Sequence, residues 1–158
     1  MDFKFDKNSN KTFLTHKKVA ILVGYFYQEI GDKLLVAALE TLDKYGISQD
    51  NVDVFYVPGA FEIPLLAKKT AESGRYDGIV TLGAVINGET PHFDFVCNEC
   101  ARGVADVAYQ TGVPTAFGVL TTNNMEQTIG RAGGYKGNKG EEATMAMIEM
   151  LYLLDKAQ

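Results

Sequence analysis

The stretch Gly78-Ile79-Val80-Thr81-Leu82-Gly83-Ala84-Val85-Ile86 contains no charged residue. A run of this kind suits a strand buried on both faces, the situation of a parallel sheet covered by helices on either side. It gives way to Asn87-Gly88-Glu89-Thr90-Pro91 and then to His92, one of 2 histidines in the chain. Loops at the carboxyl ends of central strands are where open α/β sheets hold their ligands. Here Gly88 permits close backbone approach, Thr90 offers a hydroxyl beside free N–H groups, and His92 exchanges a proton near neutral pH. An ordinary turn followed by a surface histidine is the competing reading of the same residues.

The rest of the chain repeats the pattern. Val19 to Gly24 reads as the first strand, followed by Tyr25-Phe26-Tyr27-Gln28 at its carboxyl edge. Apolar residues then recur at helical spacing from Ile30 to Tyr45, with Gly46 placed to end the helix. Val52 to Val57 alternates as a second strand and runs into Pro58-Gly59-Ala60-Phe61-Glu62-Ile63-Pro64, where Pro64 fits the first turn of a helix reaching about Ser73. Beyond the uncharged run, a helix is predicted from about Phe95 to Gln110 and a fourth strand from Pro114 to Thr121. Asn123 and Glu126 have the spacing of a helix cap, so a short helix is predicted to end near Arg131. Glycines then punctuate residues 133–140, and an amphipathic helix from Glu141 to Leu154 closes the chain. Four β-then-α units with one extra helix predict an α/β fold. The expected architecture is a three-layer αβα sandwich around a four-stranded parallel, flavodoxin-like sheet.

The expected organisation is one domain over residues 18–158, preceded by an arm over residues 1–17. Phe3, Phe5, Phe13 and Leu14 lie there among lysines and asparagines. Two readings of the arm stand open, a loose tail or a strand added to a neighbouring subunit. A net charge of −5 and a pI near 5.0 argue against nucleic acid or an anionic membrane as the main partner. With no apolar run of membrane-spanning length and no apolar core near the N-terminus, the expected location is the cytoplasm. Cys97 and Cys100 form a C-x-x-C inside a helical pattern, with no second pair to complete a zinc site. Packing thiols are the favoured reading, with redox or metal chemistry the alternative.

If the four loops after the four strands emerge at one edge, they are Tyr25–Gln28, Pro58–Glu62, Asn87–His92 and Thr122–Asn124. That rim collects Phe26, Phe61, Glu62, Thr90 and His92. Aromatic rings hold planar heterocycles, a carboxylate accepts hydrogen bonds from sugar-like hydroxyls, and a histidine there is a candidate proton shuttle. The glycine-rich run is not a P-loop, since Gly140 follows Lys139, and no G-x-G-x-x-G follows the first strand. Arg131 is either a bidentate phosphate ligand or an ordinary surface arginine.

Three separated motifs carry a family resemblance. Val57-Pro58-Gly59-Ala60-Phe61-Glu62-Ile63-Pro64, Gly88-Glu89-Thr90 with His92, and Arg131-Ala132-Gly133 with Gly137-Asn138-Lys139-Gly140 resemble the lumazine synthases, collinearly from about Val19 onward. The resemblance implies condensation of 5-amino-6-ribitylaminouracil with 3,4-dihydroxy-2-butanone 4-phosphate to 6,7-dimethyl-8-ribityllumazine, with no metal and no cofactor. It implies that Phe26 stacks on the pyrimidine and that Ala60, Phe61 and Glu62 bind ring and ribityl chain. Ala84, Val85 and Ile86 would line the same pocket through backbone groups. Glu89 and Thr90 would bind phosphate together with Arg131 and Lys139, Phe117 would come from a neighbouring subunit, and His92 would donate protons. Two positions depart from the pattern: Asn87 stands where many members carry arginine, and Tyr27 where many carry asparagine. The implied assembly is a pentamer, with the short glycine-rich segment after Arg131 favouring a hollow icosahedral shell, and riboflavin synthase is an implied partner. A flavodoxin-like module that binds a flavin without chemistry, or an inactive shell protein, are the alternatives; His92 together with Arg131 favours the enzyme.

Overall fold

The computed structural model describes residues 11–158. Strands β1 (Val19–Gly24), β2 (Val52–Val57), β3 (Gly78–Ile86) and β4 (Thr115–Thr122) form one parallel sheet in the order β2-β1-β3-β4. The helices are α1 (Lys11–Leu14), α2 (Gln28–Lys44), α3 (Ile63–Glu72), α4 (His92–Thr111), α5 (Met125–Arg131) and α6 (Lys139–Lys156). The uncharged run is the long central strand β3, as its composition predicts. The chain steps outward from β1 to β2, then back past β1 to β3 and on to β4. With right-handed crossovers, that reversal puts α2 on one face and α3 and α4 on the other.

The core follows this division. Val19, Ile21 and Val23 of β1 pack with Leu34, Ala38 and Leu42 of α2 and with Met147, Ile148 and Leu151 of α6. Ala20 and Leu22 point the opposite way, to Ile63 and Ala67 of α3 and to Cys100, Val104 and Val107 of α4. Successive side chains of a strand alternate in direction, so one short apolar strand serves two cores.

Local chemistry sets the helix ends. After α2, Gly46 adopts φ 94°. The Gly46 N–H donates to the Asp43 carbonyl at 3.0 Å and the Ile47 N–H to the Leu42 carbonyl at 2.9 Å. Those paired bonds close a helix terminus, and the buried Ile47 and Leu42 side chains pack across it. At α4 the helix begins three residues earlier than the periodicity indicates. Pro91 has φ −68° and no N–H to satisfy, so it enters the helix directly and makes His92 its first residue. The α5 cap is also displaced by one residue: Asn124, not Asn123, accepts from the Gln127 N–H, while Gln127 Oε1 accepts from the Asn123 N–H. A two-strand hairpin, β5 (Ala132–Gly134) and β6 (Gly137–Asn138), then leads into α6.

The second half of the segment read as an arm packs onto the domain. Leu14 is fully buried, Phe13 meets Tyr152 edge-on at 6.5 Å, and Lys17 pairs with Asp77 at 3.3 Å. The Asn51 amide also donates to the Thr15 carbonyl at 3.1 Å. Phe3 and Phe5 lie outside the described residues. No helix among the described residues is long and apolar enough to cross a membrane.

Candidate active site

A cavity of about 580 Å³ opens at the carboxyl edge of the sheet, above the ends of β1, β2 and β3. The chain reverses its direction of travel between β1 and β3, so their following loops diverge and leave a crevice there. The register shows how its floor forms. β1 pairs with β3 only as far as Leu82, whereas β3 continues alongside β4 to Ile86 opposite Thr122. Ala84, Val85 and Ile86 therefore present one unpaired backbone edge toward the cavity, and all three line it. Backbone groups alternate in direction along a strand, so Val85 bonds toward β4 while the N–H and C=O groups of Ala84 and Ile86 face the open edge, available to a planar polar ligand lying against it.

The walls come from the three loops. Phe26, 75% exposed, follows β1, and Tyr27 beneath it meets its ring edge-on at 5.1 Å. After β2, a 3-10 turn at Ala60–Glu62 presents Phe61 and Glu62 while Ala60 turns inward. The Tyr25 N–H donates to the Val57 carbonyl at 2.9 Å, tying the first two loops together. On the third side, Gly88, Thr90 and His92 line the cavity. The early start of α4 adds residues that the periodicity had placed deeper in a helix. Phe95 and Val96, three and four positions after His92, fall on the same helical face and reach the cavity, as does Phe93.

Several site residues expected from the sequence lie elsewhere in this subunit. Phe117 sits opposite Thr81 in the outer part of edge strand β4 and is 37% exposed. Arg131 ends α5, its Nη1 donating to the Gln127 carbonyl at 3.4 Å, and Lys139 starts α6 paired with Glu142. Neither these three nor Glu89 lines the cavity, and no lysine or arginine among the described residues does. The loop Thr122–Asn124 stays apart as well, because β4 lies beyond β3 from β1. Its residues are consumed locally, with the Thr122 and Thr128 hydroxyls hydrogen-bonded at 2.6 Å and Asn124 capping α5.

The cysteines take no part. Cys100 is buried between α4 and the sheet, and that burial pushes its thiol up to about 12; burial, with Asp94 nearby, also raises Cys97. Thiols held in that direction are protonated at neutral pH and poor nucleophiles. No group of three or more His, Cys, Asp or Glu side chains among the described residues is arranged to hold a metal ion.

An aromatic cleft with one carboxylate, one histidine and an open strand edge can bind a heterocycle bearing hydroxyls and move a proton beside it. Comparison with known proteins is decisive here: the family model for 6,7-dimethyl-8-ribityllumazine synthase matches residues 16–155. The chain belongs to the lumazine synthase family. The 6,7-dimethyl-8-ribityllumazine synthase of Ruthia magnifica subsp. Calyptogena magnifica is 74% identical over 161 residues, covering 99% of this chain and 96% of that protein. The enzyme of the same name from Vesicomyosocius okutanii subsp. Calyptogena okutanii (strain HA) is 69% identical over 162 residues, covering 99% and 97%. The activity is thus lumazine synthase activity, in riboflavin biosynthesis.

Lumazine synthase chemistry suits what the cleft offers. Amine nucleophile and ketone electrophile both belong to the substrates, so the protein's tasks are alignment, phosphate binding and proton transfer. Alignment of two bound reactants contributes up to about 7–11 kcal/mol, and a positioned acid–base group about 10²–10⁴-fold.

Proposed function

We propose that the cavity holds the ribitylaminouracil and that an adjoining subunit completes the site for the butanone phosphate. In this reading Phe26 stacks on the pyrimidine, the backbone of Ala84–Ile86 and Ala60–Phe61 bind its edge, and Glu62 accepts from ribityl hydroxyls. The Gly88–Thr90 loop and the first N–H groups of α4 receive the phosphate, since a helix start carries unpaired donors and partial positive charge. His92, at that same helix start, carries protons during imine formation and phosphate elimination.

One observation carries the shared site: among the described residues, the cavity has ring-binding and proton-exchanging groups but no cation. A phosphate dianion calls for charge-assisted donors, and the candidates, Arg131 and Lys139, lie on the β4–α6 side of the subunit. With Phe117 they would serve the cavity of the next copy. A contact joining different patches must close into a ring or grow open-ended, and five subunits is the ring that the family implies. Tyr25, Tyr56, Leu65, Tyr109, Ile129 and Met150 are also exposed on the single subunit, apolar surface that assembly would cover. The short segment between Arg131 and Lys139 supports rings meeting as a hollow icosahedral shell in the cytoplasm, with riboflavin synthase as a candidate partner.

Sedimentation and lumazine absorbance measured on the same diluted samples test this reading. Activity should follow the ring or shell boundary and vanish with the slow-sedimenting monomer. An active monomer would overturn the shared site, and free pentamers without shells across pH and phosphate conditions would overturn the shell.

A further inference from the structure

We infer that Tyr27 is a positioning residue that holds the Phe26 ring in the attitude in which it meets the pyrimidine. The inference rests on the stacking role proposed above for Phe26. That ring is three-quarters exposed on the loop between β1 and α2, and its edge-to-face partner is Tyr27, with interplanar angle 71°. Among the described residues, Tyr27 is the one aromatic ring packed against it. Tyr27 is itself anchored, half-buried against the core between the sheet and helices α2 and α6, and it lines the cavity.

Position 27 is also the N-cap of α2, and the Tyr27 side chain makes no capping hydrogen bond. Serine, threonine, asparagine or aspartate there would accept from an unpaired helix N–H and stabilise the helix. Tyrosine gives up that bond, so its return is found in ring contacts rather than in the helix. Those contacts lie between the core below and Phe26 above, and the ring alone makes them. A residue kept only for stability would favour the cap; one kept for binding would favour the ring.

Steady-state kinetics of Tyr27→Leu, Tyr27→Phe and Tyr27→Asn, each substrate varied in turn, separate the two, with thermal unfolding measured beside them. Tyr27→Leu and Tyr27→Asn should raise KM for the pyrimidine by about two- to tenfold, the size of an edge-to-face contact, and move kcat and the butanone phosphate KM less. Tyr27→Phe should recover most of that loss. Tyr27→Asn gains a cap on α2 but loses the ring's packing against the core, so it should unfold close to the original temperature, while Tyr27→Leu, which gains no cap, should unfold lower. Weaker pyrimidine binding that is alike in these two variants despite their different stabilities is an outcome that a packing role does not produce. Phe26→Leu serves as the control. If it weakens the pyrimidine and Tyr27→Asn does not, or if Tyr27→Asn weakens both substrates equally and lowers stability, the positioning role is wrong while stacking stands. If Phe26→Leu leaves the pyrimidine KM unchanged, the stacking role falls and takes this inference with it.

Discussion

The two ends of the chain's own chemistry are built differently. On the cavity side, the loops after β1, β2 and β3 leave groups unused: Phe26 and Phe61 stand in solvent, and the edge of Ala84–Ile86 has no strand beside it. On the far side, between β4 and α6, polar groups are consumed within the fold. Asn124 caps α5, Thr128 bonds to Thr122, and Asn138 both accepts from the Gly140 N–H at 2.8 Å and donates to the Lys33 carbonyl at 3.2 Å. The difference teaches a division of labour. The cleft keeps its donors and rings open, whereas the segment that carries Arg131 and Lys139 is wired to its own scaffold.

The wired side should break hardest. A methyl at Gly140 would overlap the Leu34 carbonyl, where the first turn of α6 lies against α2. Neither partner is a flexible side-chain tip, so Gly140→Ala should cost about 3 kcal/mol or more, seen as a large fall in unfolding temperature or loss of soluble protein. A small effect would show that this junction is soft and that the wiring does not fix Lys139.

Arg131→Ala probes what that side presents. Removing a charge-assisted contact should raise KM for the butanone phosphate about 10- to 100-fold and leave the pyrimidine KM near its original value. Equal losses for both substrates would remove Arg131 from the phosphate site. His92→Ala probes the open side. Turnover should fall about tenfold with a modest change in binding, because alignment survives and no protein nucleophile is needed. Unchanged turnover would take the histidine out of the mechanism.

The smallest effect concerns the face beneath the cavity. Cys100 is raised from 9.0 to about 12 by burial, so between those values the folded state keeps a proton that the unfolded chain releases. Stability is therefore full below pH 9 and declines as pH rises toward 12, by up to about 1.4 kcal/mol per unit from this group. The raised Tyr76, buried and hydrogen-bonded to Asp53, acts in the same direction. Denaturant melts of the protein and of Cys100→Ala at pH 8 and 10 should show a shallower alkaline decline in the variant; equal slopes would mean that the thiol is not held protonated.

The fold was legible in the sequence because its strongest signals are local. The uncharged run Gly78–Ile86 calls for a doubly covered strand, and Gly46 marks a helix end that the hydrogen bonds bear out. Phe26, Phe61, Glu62, Thr90 and His92 could be placed at one edge because parallel strands put their following loops together. What escaped depends on distances beyond the local pattern. Phe93, Phe95 and Val96 were missed because a proline before His92 was not read as a helix entry. The separation of the Thr122–Asn124 loop from the cavity depends on strand order, which no single segment encodes. Lysines and asparagines surround Leu14 in the sequence, so its burial is not legible from composition.

The central claim is that each site draws its pyrimidine cleft from one subunit and its phosphate cations from the next. Mixing two weakened variants tests it directly: Glu62→Ala, impaired in the cleft, and Arg131→Ala, impaired in the cations, dissociated together and reassembled. Random reassembly at equal amounts should restore about a quarter of the sites to wild-type composition, giving activity above either parent. If the mixture never exceeds the mean of its parents although hybrid rings form, both halves belong to one subunit and the account is wrong.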